Sequence, residues 1–138
     1  MSKILCIDYG QKRIGLSITN SIRSIAFGLN TVNTNDLIST LEMYIKYEDI
    51  DTIVIGLPIK YYNSIFPIEK KIKKFIKFIK KKYPNLIIKR LDERFTSKIA
   101  NYYLLNSVLK KKKRKNKSLL DKISATLLLQ DYIKIENL

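Results

Sequence analysis

Three acidic side chains stand at the ends of predicted elements in a chain that is otherwise strongly basic. Asp8 ends an apolar run and precedes a glycine turn, Glu93 follows a later apolar run, and Asp121 lies in the first turn of the predicted last helix. Aspartate is disfavoured in strands, so Asp8 requires a reason other than strand formation. Carboxylate oxygens are ligands that Mg²⁺ and Mn²⁺ prefer. The three acids therefore predict a divalent-metal site.

Carboxylates on separate elements are suited to the hydrolysis of phosphodiesters. Two metal ions held close together can activate a water and stabilise the leaving oxygen. The sequence contains no histidine, which excludes Ser-His-Asp triads, histidine general bases and ordinary zinc sites. The single cysteine, Cys6, lies in a predicted strand with no histidine to activate it, so we assign it no nucleophilic role.

Each of the three acids also has a purely structural interpretation. Asp8 can be a turn residue whose carboxylate bonds nearby amides. Glu93 can be a member of a surface ion pair with Arg94. Asp121 follows Ser118 by three residues and can complete a capping box at a helix N-terminus. The metal-site prediction depends on the three side chains converging in the fold.

The positive charge of the chain indicates a polyanionic partner. Its 138 residues fit one domain, residues 1–138, with a formal net charge of +15. Lysine and arginine neutralise phosphates and release counterions, although a coding bias towards lysine would also raise the total. Residues 110–117 hold seven positive charges in eight positions and are predicted to form a mobile loop. We predict that this loop contacts nucleic acid through Lys111, Lys112, Lys113, Arg114, Lys115 and Lys117.

The elements that position the acids follow from the apolar spacing. Strands are predicted at residues 2–8, 13–19, 24–32, 51–56 and 86–91. A first helix carries apolar residues from Leu37 to Ile45 on one face, and further helices are predicted at residues 67–83, 96–109 and 118–135. Thr34 or Asn35 is predicted to cap the first helix. Short turns make the first three strands antiparallel, and helical crossovers make the later strands parallel. The lysines of the helix at residues 67–83 are most simply a solvated face.

Four blocks of sequence together carry a family resemblance. Residues 7–16 (IDYGQKRIGL), 54–58 (VIGLP), 92–97 (DERFTS) and 121–133 (DKISATLLLQDYI) resemble, in order, the motifs of the YqgF/RuvX family of RNase H-like nucleases. This family is also described as pre-16S rRNA nucleases or Holliday junction resolvases. The resemblance covers nearly the whole chain.

The resemblance implies an α/β fold of the RNase H-like type, in which helices flank a mixed five-stranded sheet. It also implies that Asp8, Glu93 and Asp121 are the catalytic acids, which the metal-site interpretation independently selects as ligands. Arg13 and Arg94 match family positions from which a guanidinium can hold phosphate or orient the acids.

Three positions depart from the family pattern. Asn20 stands where the family commonly has an aspartate, which removes a charge if that acid assists the site. The segment after Gly56 keeps little of the family's polar loop, so substrate contact there is in doubt. Ser124 replaces the first of two alanines and still allows close helix packing.

The sequence thus predicts a metal-dependent nuclease for structured nucleic acid, with 5′-end processing of pre-16S rRNA as its role. Two alternatives remain open: a Holliday junction resolvase acting on branched DNA, and a nucleic-acid-binding module without catalysis. An actin-like ATPase would need a second domain, for which 138 residues leave no room. We expect a cytoplasmic protein, because its single cysteine cannot form an intrachain disulfide and no apolar run is long enough to span a bilayer. It is expected to be a monomer or a weak homodimer.

Overall fold

The computed structural model of the chain describes residues 2–58, 66–93 and 117–137, with side chains from residue 119 onwards in the last range. Its elements are β1 (Lys3–Tyr9), β2 (Arg13–Thr19), β3 (Ala26–Gly28), β4 (Val32–Asn33), a 3₁₀ turn (Thr34–Asp36), α1 (Leu37–Tyr47), β5 (Ile50–Leu57), α2 (Glu69–Lys82), β6 (Ile87–Asp92) and α3 (Lys117–Glu136). The predicted helix at residues 96–109 and most of the basic run lie outside the described residues.

One mixed sheet organises the described residues. Its strand order is β3-β2-β1-β5-β6, and β4 also pairs with β2 on the side of β3. The pairing of β1 with β2 is antiparallel, whereas β1–β5 and β5–β6 are parallel. The α/β class and the mixed sheet predicted from the sequence are therefore confirmed.

The edge strand and the first helix differ in detail from the prediction. The strand expected at residues 24–32 is divided into β3 and β4, and between them Leu29 N–H donates to the Leu16 carbonyl at 2.8 Å. The first helix is not capped by Thr34 or Asn35, because both residues are used in the 3₁₀ turn. α1 begins at Leu37 with no side-chain hydrogen bond at its N-cap, Asp36.

Alternating side chains bury both faces of the sheet. Leu5 and Ile7 of β1 pack with apolar residues of α1 and α2 on one face. Ile4 and Cys6 point the other way and pack with α3. Because successive strand residues face opposite sides, Asp8 belongs to the face covered by α3. None of the helices in the described ranges combines the length and apolar character needed to span a membrane.

Candidate carboxylate site

Asp8 lies near the carboxyl end of β1, between two glycines on neighbouring strands. It pairs directly with Gly15 of β2. On the other side Ile7 pairs with Ile55 of β5, so the next residue, Gly56, lies beside Asp8. Directly paired residues share a face of the sheet, so all three positions lie under α3. The absence of a Cβ atom at these two glycines allows other groups to approach the sheet on either side of Asp8.

Gly15 allows α3 to approach the sheet at Asp121. A Cβ atom at Gly15 would lie 2.4 Å from the Asp121 carbonyl oxygen and 3.2 Å from the Ala125 Cβ. One layer below, the buried Ser17 Oγ donates to the Ala125 carbonyl at 2.7 Å. Ser124 is buried as well, so the predicted close packing of this helix holds with serine at that position. Asp121 is thereby held over β2, next to the strand that carries Asp8.

The carboxylate of Asp121 is held by Arg13. The Arg13 Nε donates to Asp121 Oδ2 at 2.9 Å, and the two side chains are 39% and 30% exposed. Because α3 begins at Lys117, Asp121 lies in its second turn rather than in the first turn predicted from the sequence. Ser118 is inside the helix and not at its N-cap, so the capping-box interpretation of Asp121 is wrong.

Gly56 provides the corresponding space for Glu93. A Cβ atom at Gly56 would lie 2.4 Å from Glu93 Oε1 and 3.1 Å from Leu128 Cδ2 of α3. Glu93 follows the strand as predicted, directly after Asp92, and its carboxylate reaches back over the neighbouring strand β5. The three acids therefore lie on one face and at one end of the sheet.

An arginine on the opposite face fixes the strand end beneath Glu93. Arg90 donates to the carbonyls of Ile55 and Gly56 at 3.2 and 2.9 Å, and to both carboxylate oxygens of Glu69 at 3.0 and 2.6 Å. The Glu69 side chain is only 4% exposed. Sequence reasoning missed this pair, and the available signal was an arginine on the same face of β6 as Ile88, which packs against the core.

The acids form a row above adjacent strands. Asp121 lies over β2, Asp8 is on β1, and Glu93 lies over β5, a width of two strand spacings or about 10 Å. Their oxygen-only donor set suits a hard divalent cation, and the two glycines give Asp121 and Glu93 room to approach the strand that carries Asp8. Within residues 2–58, 66–93 and 117–137, however, no three acidic or thiol side chains gather closely enough to surround one ion.

Asn20 lies at the other end of β2 and builds a turn. Its Oδ1 accepts hydrogen bonds from Ser24 N and Ile25 N at 2.8 and 3.2 Å, and its Nδ2 donates to Ser24 Oγ at 2.9 Å. Asn20 is five residue steps from Gly15 along the chain, which corresponds to about 17 Å of extended strand. The missing family acid at this position therefore removes no charge from the site.

Several predicted nucleic-acid contacts lie outside the described residues. These are Arg94, Lys111, Lys112, Lys113, Arg114 and Lys115, together with the modified loop that follows Gly56. Lys117 is the first residue of α3, and only its backbone is described. Arg13 is the one predicted phosphate contact whose side chain lies within the described ranges, and it is bonded to an acid.

Comparison with known proteins identifies the family. A profile of the RuvX family, described as "Holliday junction resolvase", matches residues 2–135. A protein of Karelsulcia muelleri named "Putative pre-16S rRNA nuclease" is 75% identical over 137 residues, which cover 97% of this chain and 99% of the relative. A protein of the same name from Bacteroides fragilis is 42% identical over 138 residues and the full length of both chains.

Solved structures agree on the fold. T. thermophilus RuvC in complex with a Holliday junction substrate aligns with a TM-score of 0.57 at 11% identity, covering 99% of this chain and 96% of that one. The fowlpox virus resolvase bound to Holliday junction DNA aligns with a TM-score of 0.54 at 18% identity, covering 97% and 98%. These likenesses support the RNase H-like architecture, and the profile and the relatives together show that the chain belongs to the RuvX family.

Proposed function

We propose that this chain is a metal-dependent nuclease that hydrolyses phosphodiester bonds in structured nucleic acid, and that its substrate is the 5′ end of pre-16S rRNA. One observation carries the chemistry: glycines on both sides of Asp8 make room for Asp121 and Glu93 on the same face of the sheet. The name shared by the two curated relatives supports the choice of RNA.

The acids would bind Mg²⁺ or Mn²⁺ through Asp8, Glu93 and Asp121. A bound ion of this kind lowers the pKa of a coordinated water and stabilises charge on the leaving oxygen. The protein contributes position: Asp8 is fixed by pairing on both sides, and Asp121 by its bond to Arg13. The Gly56 backbone under Glu93 is fixed by Arg90. Such preorganisation removes the cost of arranging the groups during reaction.

Positive side chains would hold the substrate backbone beside the acids. Arg13, Arg94 and the lysines and arginine of residues 111–117 are assigned this role from the sequence. Arg13 retains 39% exposure while bonded to Asp121, which is compatible with a second contact to phosphate. We further propose a cytoplasmic protein that is a monomer or a weak homodimer.

A Holliday junction resolvase is the second candidate. The description of the family profile and the resolvase structures that share the fold favour it. Resolution of a four-way junction requires two symmetric cuts, so this function needs a dimer at working concentration. A binding module without catalysis is the third possibility, and it requires that the acids fail to bind Mn²⁺.

The deciding experiment compares cleavage of three nucleic acids by the purified protein. A transcript with the 5′ precursor segment of 16S rRNA, a four-way DNA junction and an unstructured RNA of equal length are each incubated with Mn²⁺ or with a chelator. We expect Mn²⁺-dependent cleavage of the precursor transcript and little cleavage of the others. Cleavage confined to the junction would select the resolvase. Equal cleavage by Asp8→Asn protein would reject the carboxylate site.

A further inference from the structure

Helix α2 exposes a row of lysines on the side of the sheet opposite to the acids. Its apolar residues Ile72, Phe75 and Ile79 are buried against the sheet. With 100° between successive residues, the four positions of the helix that point most nearly away from this buried stripe are 70, 74, 77 and 81. Lysine occupies all four, and all four are exposed. We name these residues, Lys70, Lys74, Lys77 and Lys81, the lysine ridge.

The lysine ridge carries charge that the described protein does not neutralise. The single acid of α2, Glu69, is buried and bound to Arg90. Among the ion pairs of the described ranges, the one that involves α2 lysines joins Lys82 to Glu42, at the end of the helix. Charges of alternating sign along a helix face are typical of a solvent-exposed helix that stabilises itself by ion pairs. This face has one sign only.

Repulsion within α2 adds a physical reason for an anionic partner. Lysines three or four positions apart form seven like-charge pairs within Glu69–Lys82, and no exposed acid of the helix offsets them. Such pairs destabilise a helix slightly in water. A polyanion laid along the face would remove this repulsion and release counterions at the same time.

The dimensions of the lysine ridge match a nucleic-acid backbone. The eleven steps from Lys70 to Lys81 span about 16 Å along the helix axis. One strand of a DNA duplex carries a charge about every 3.4 Å, so this length is comparable to about five successive phosphates of a nucleic-acid strand.

The ridge also begins close to the carboxylate end of the sheet. Glu69, which precedes Lys70, shares Arg90 with the Gly56 carbonyl. From there α2 runs back across the face that α3 does not cover.

We propose that the lysine ridge binds the sugar-phosphate backbone of double-helical RNA, at a site separate from the carboxylates. The proposal deepens the proposed function, because a structured precursor is long enough to contact both faces. It implies that binding strength depends on helical RNA beyond the segment that reaches the acids.

The test compares two triple variants in a salt titration. Lys74→Gln/Lys77→Gln/Lys81→Gln alters the ridge. The matched control, Lys46→Gln/Lys89→Gln/Lys134→Gln, removes exposed lysines from α1, β6 and α3. Both sets lower the formal net charge from +15 to +12. Binding to an RNA duplex of about 20 base pairs is measured with chelator present, between about 50 and 200 mM salt.

We expect the ridge variant to bind at least about ten-fold more weakly at the middle of this range, and its plot of log K against log salt to lose about two units of slope. The control variant should lose less than one unit. Equal losses in the two variants would mean that the lysines act only through total charge and would overturn the proposal. If the wild-type protein bound polyglutamate as tightly as the RNA duplex, and lost both affinities equally in the ridge variant, the assignment to nucleic acid would be overturned.

Labelling of the wild-type protein tests the same claim without any variant. Lysine acetylation by a water-soluble reagent, followed by mass spectrometry, should show RNA-dependent protection of Lys74, Lys77 and Lys81 but not of Lys46 or Lys134. Equal protection of both sets would reject the ridge. Because neither measurement requires cleavage, an inactive but RNA-protected protein would reject the nuclease and leave the ridge standing.

Discussion

Arg13 Nε lies 2.9 Å from Asp121 Oδ2, joining a strand near the start of the chain to a helix 108 residues later. Gly15, two residues further along the same strand, lies under the Asp121 backbone. β2 therefore fixes both the backbone and the carboxylate of Asp121. The contact gives Arg13 a positioning role in addition to the phosphate contact expected from the sequence.

Two substitutions at Arg13 distinguish its positioning of Asp121 from a contribution of positive charge alone. We expect both Arg13→Lys and Arg13→Gln to lower kcat by about 10- to 100-fold, because neither can hold Asp121 through a planar guanidinium. RNA affinity should fall in Arg13→Gln and be retained in Arg13→Lys. Single-turnover cleavage and equilibrium binding measure the two effects. Wild-type kcat in Arg13→Lys would show that Arg13 contributes charge alone.

Asp8→Asn should abolish catalysis while sparing binding. The amide keeps the shape of the side chain but loses the charge that attracts a hard cation, so we expect cleavage to fall at least about 100-fold. Affinity for RNA should change by less than about two-fold or rise slightly, because a carboxylate that repels phosphate is removed. Asp36→Asn, at an exposed acid of the 3₁₀ turn, is the matched control and should cleave normally. Equal activity in both variants would remove Asp8 from the site.

The two glycines beside Asp8 should respond differently to alanine. A Cβ atom at Gly15 would meet the Asp121 backbone oxygen at 2.4 Å, and a helix backbone cannot easily move. We therefore expect Gly15→Ala to lower the free energy of unfolding by about 1 to 3 kcal/mol. At Gly56 the atom met at 2.4 Å is the end of the Glu93 side chain, which can rotate away.

Gly56→Ala should therefore retain stability to within about 1 kcal/mol and lose Mn²⁺ affinity and cleavage. Urea unfolding and Mn²⁺ titration measure the two quantities. Unchanged Mn²⁺ affinity in Gly56→Ala would argue against Glu93 as a ligand.

The buried pair of Arg90 and Glu69 is expected to matter chiefly for stability. Arg90→Met would leave the Glu69 carboxylate without its partner at 4% exposure. Because Arg90 itself is 23% exposed, we expect the free energy of unfolding to fall by about 2 to 4 kcal/mol, somewhat less than for a fully buried pair.

Adding Glu69→Leu to Arg90→Met should recover part of that loss, since no buried charge then remains unpaired. Urea denaturation of the two single variants and the double variant gives the coupling. Strict additivity of the two changes would contradict the pairing.

Tyr132 should make the protein lose stability at high pH. Burial raises the pKa of Tyr132 to about 12, and a hydrogen bond to Glu136 adds to the rise. The unfolded chain loses this proton near its ordinary pKa of about 10, whereas the folded chain keeps it to about 12. The contribution of Tyr132 to the free energy of unfolding is therefore complete below about pH 10. It falls by about 2 to 3 kcal/mol as the pH rises to about 12.

Tyr132→Phe isolates this contribution from the other groups that titrate in the same range. The difference in unfolding free energy between the two proteins should change with pH only between about 10 and 12. A constant difference across that interval would show that Tyr132 does not titrate late.

The amino-acid sequence alone predicted most strands and helices of the described residues and selected Asp8, Glu93 and Asp121 as candidate site residues. The sequence predicted β2 at its observed bounds and β1, β5 and β6 to within about one residue, from apolar runs that are continuous where both faces of the strand are buried, as in β5. It missed the division of the edge strand, since pairing with β2 decides where β3 ends and β4 begins.

The tertiary structure alone decided how the acids stand relative to one another. Sequence spacing carries no information on whether Asp121 faces Arg13, because the approach of α3 depends on the absence of a Cβ atom at Gly15. For the same reason the sequence could not show that Asn20, where the family commonly has an aspartate, is a turn residue at the end of β2 opposite to Arg13. Contacts between residues distant in the chain arise from packing, and packing is a property of the assembled sheet and helices together.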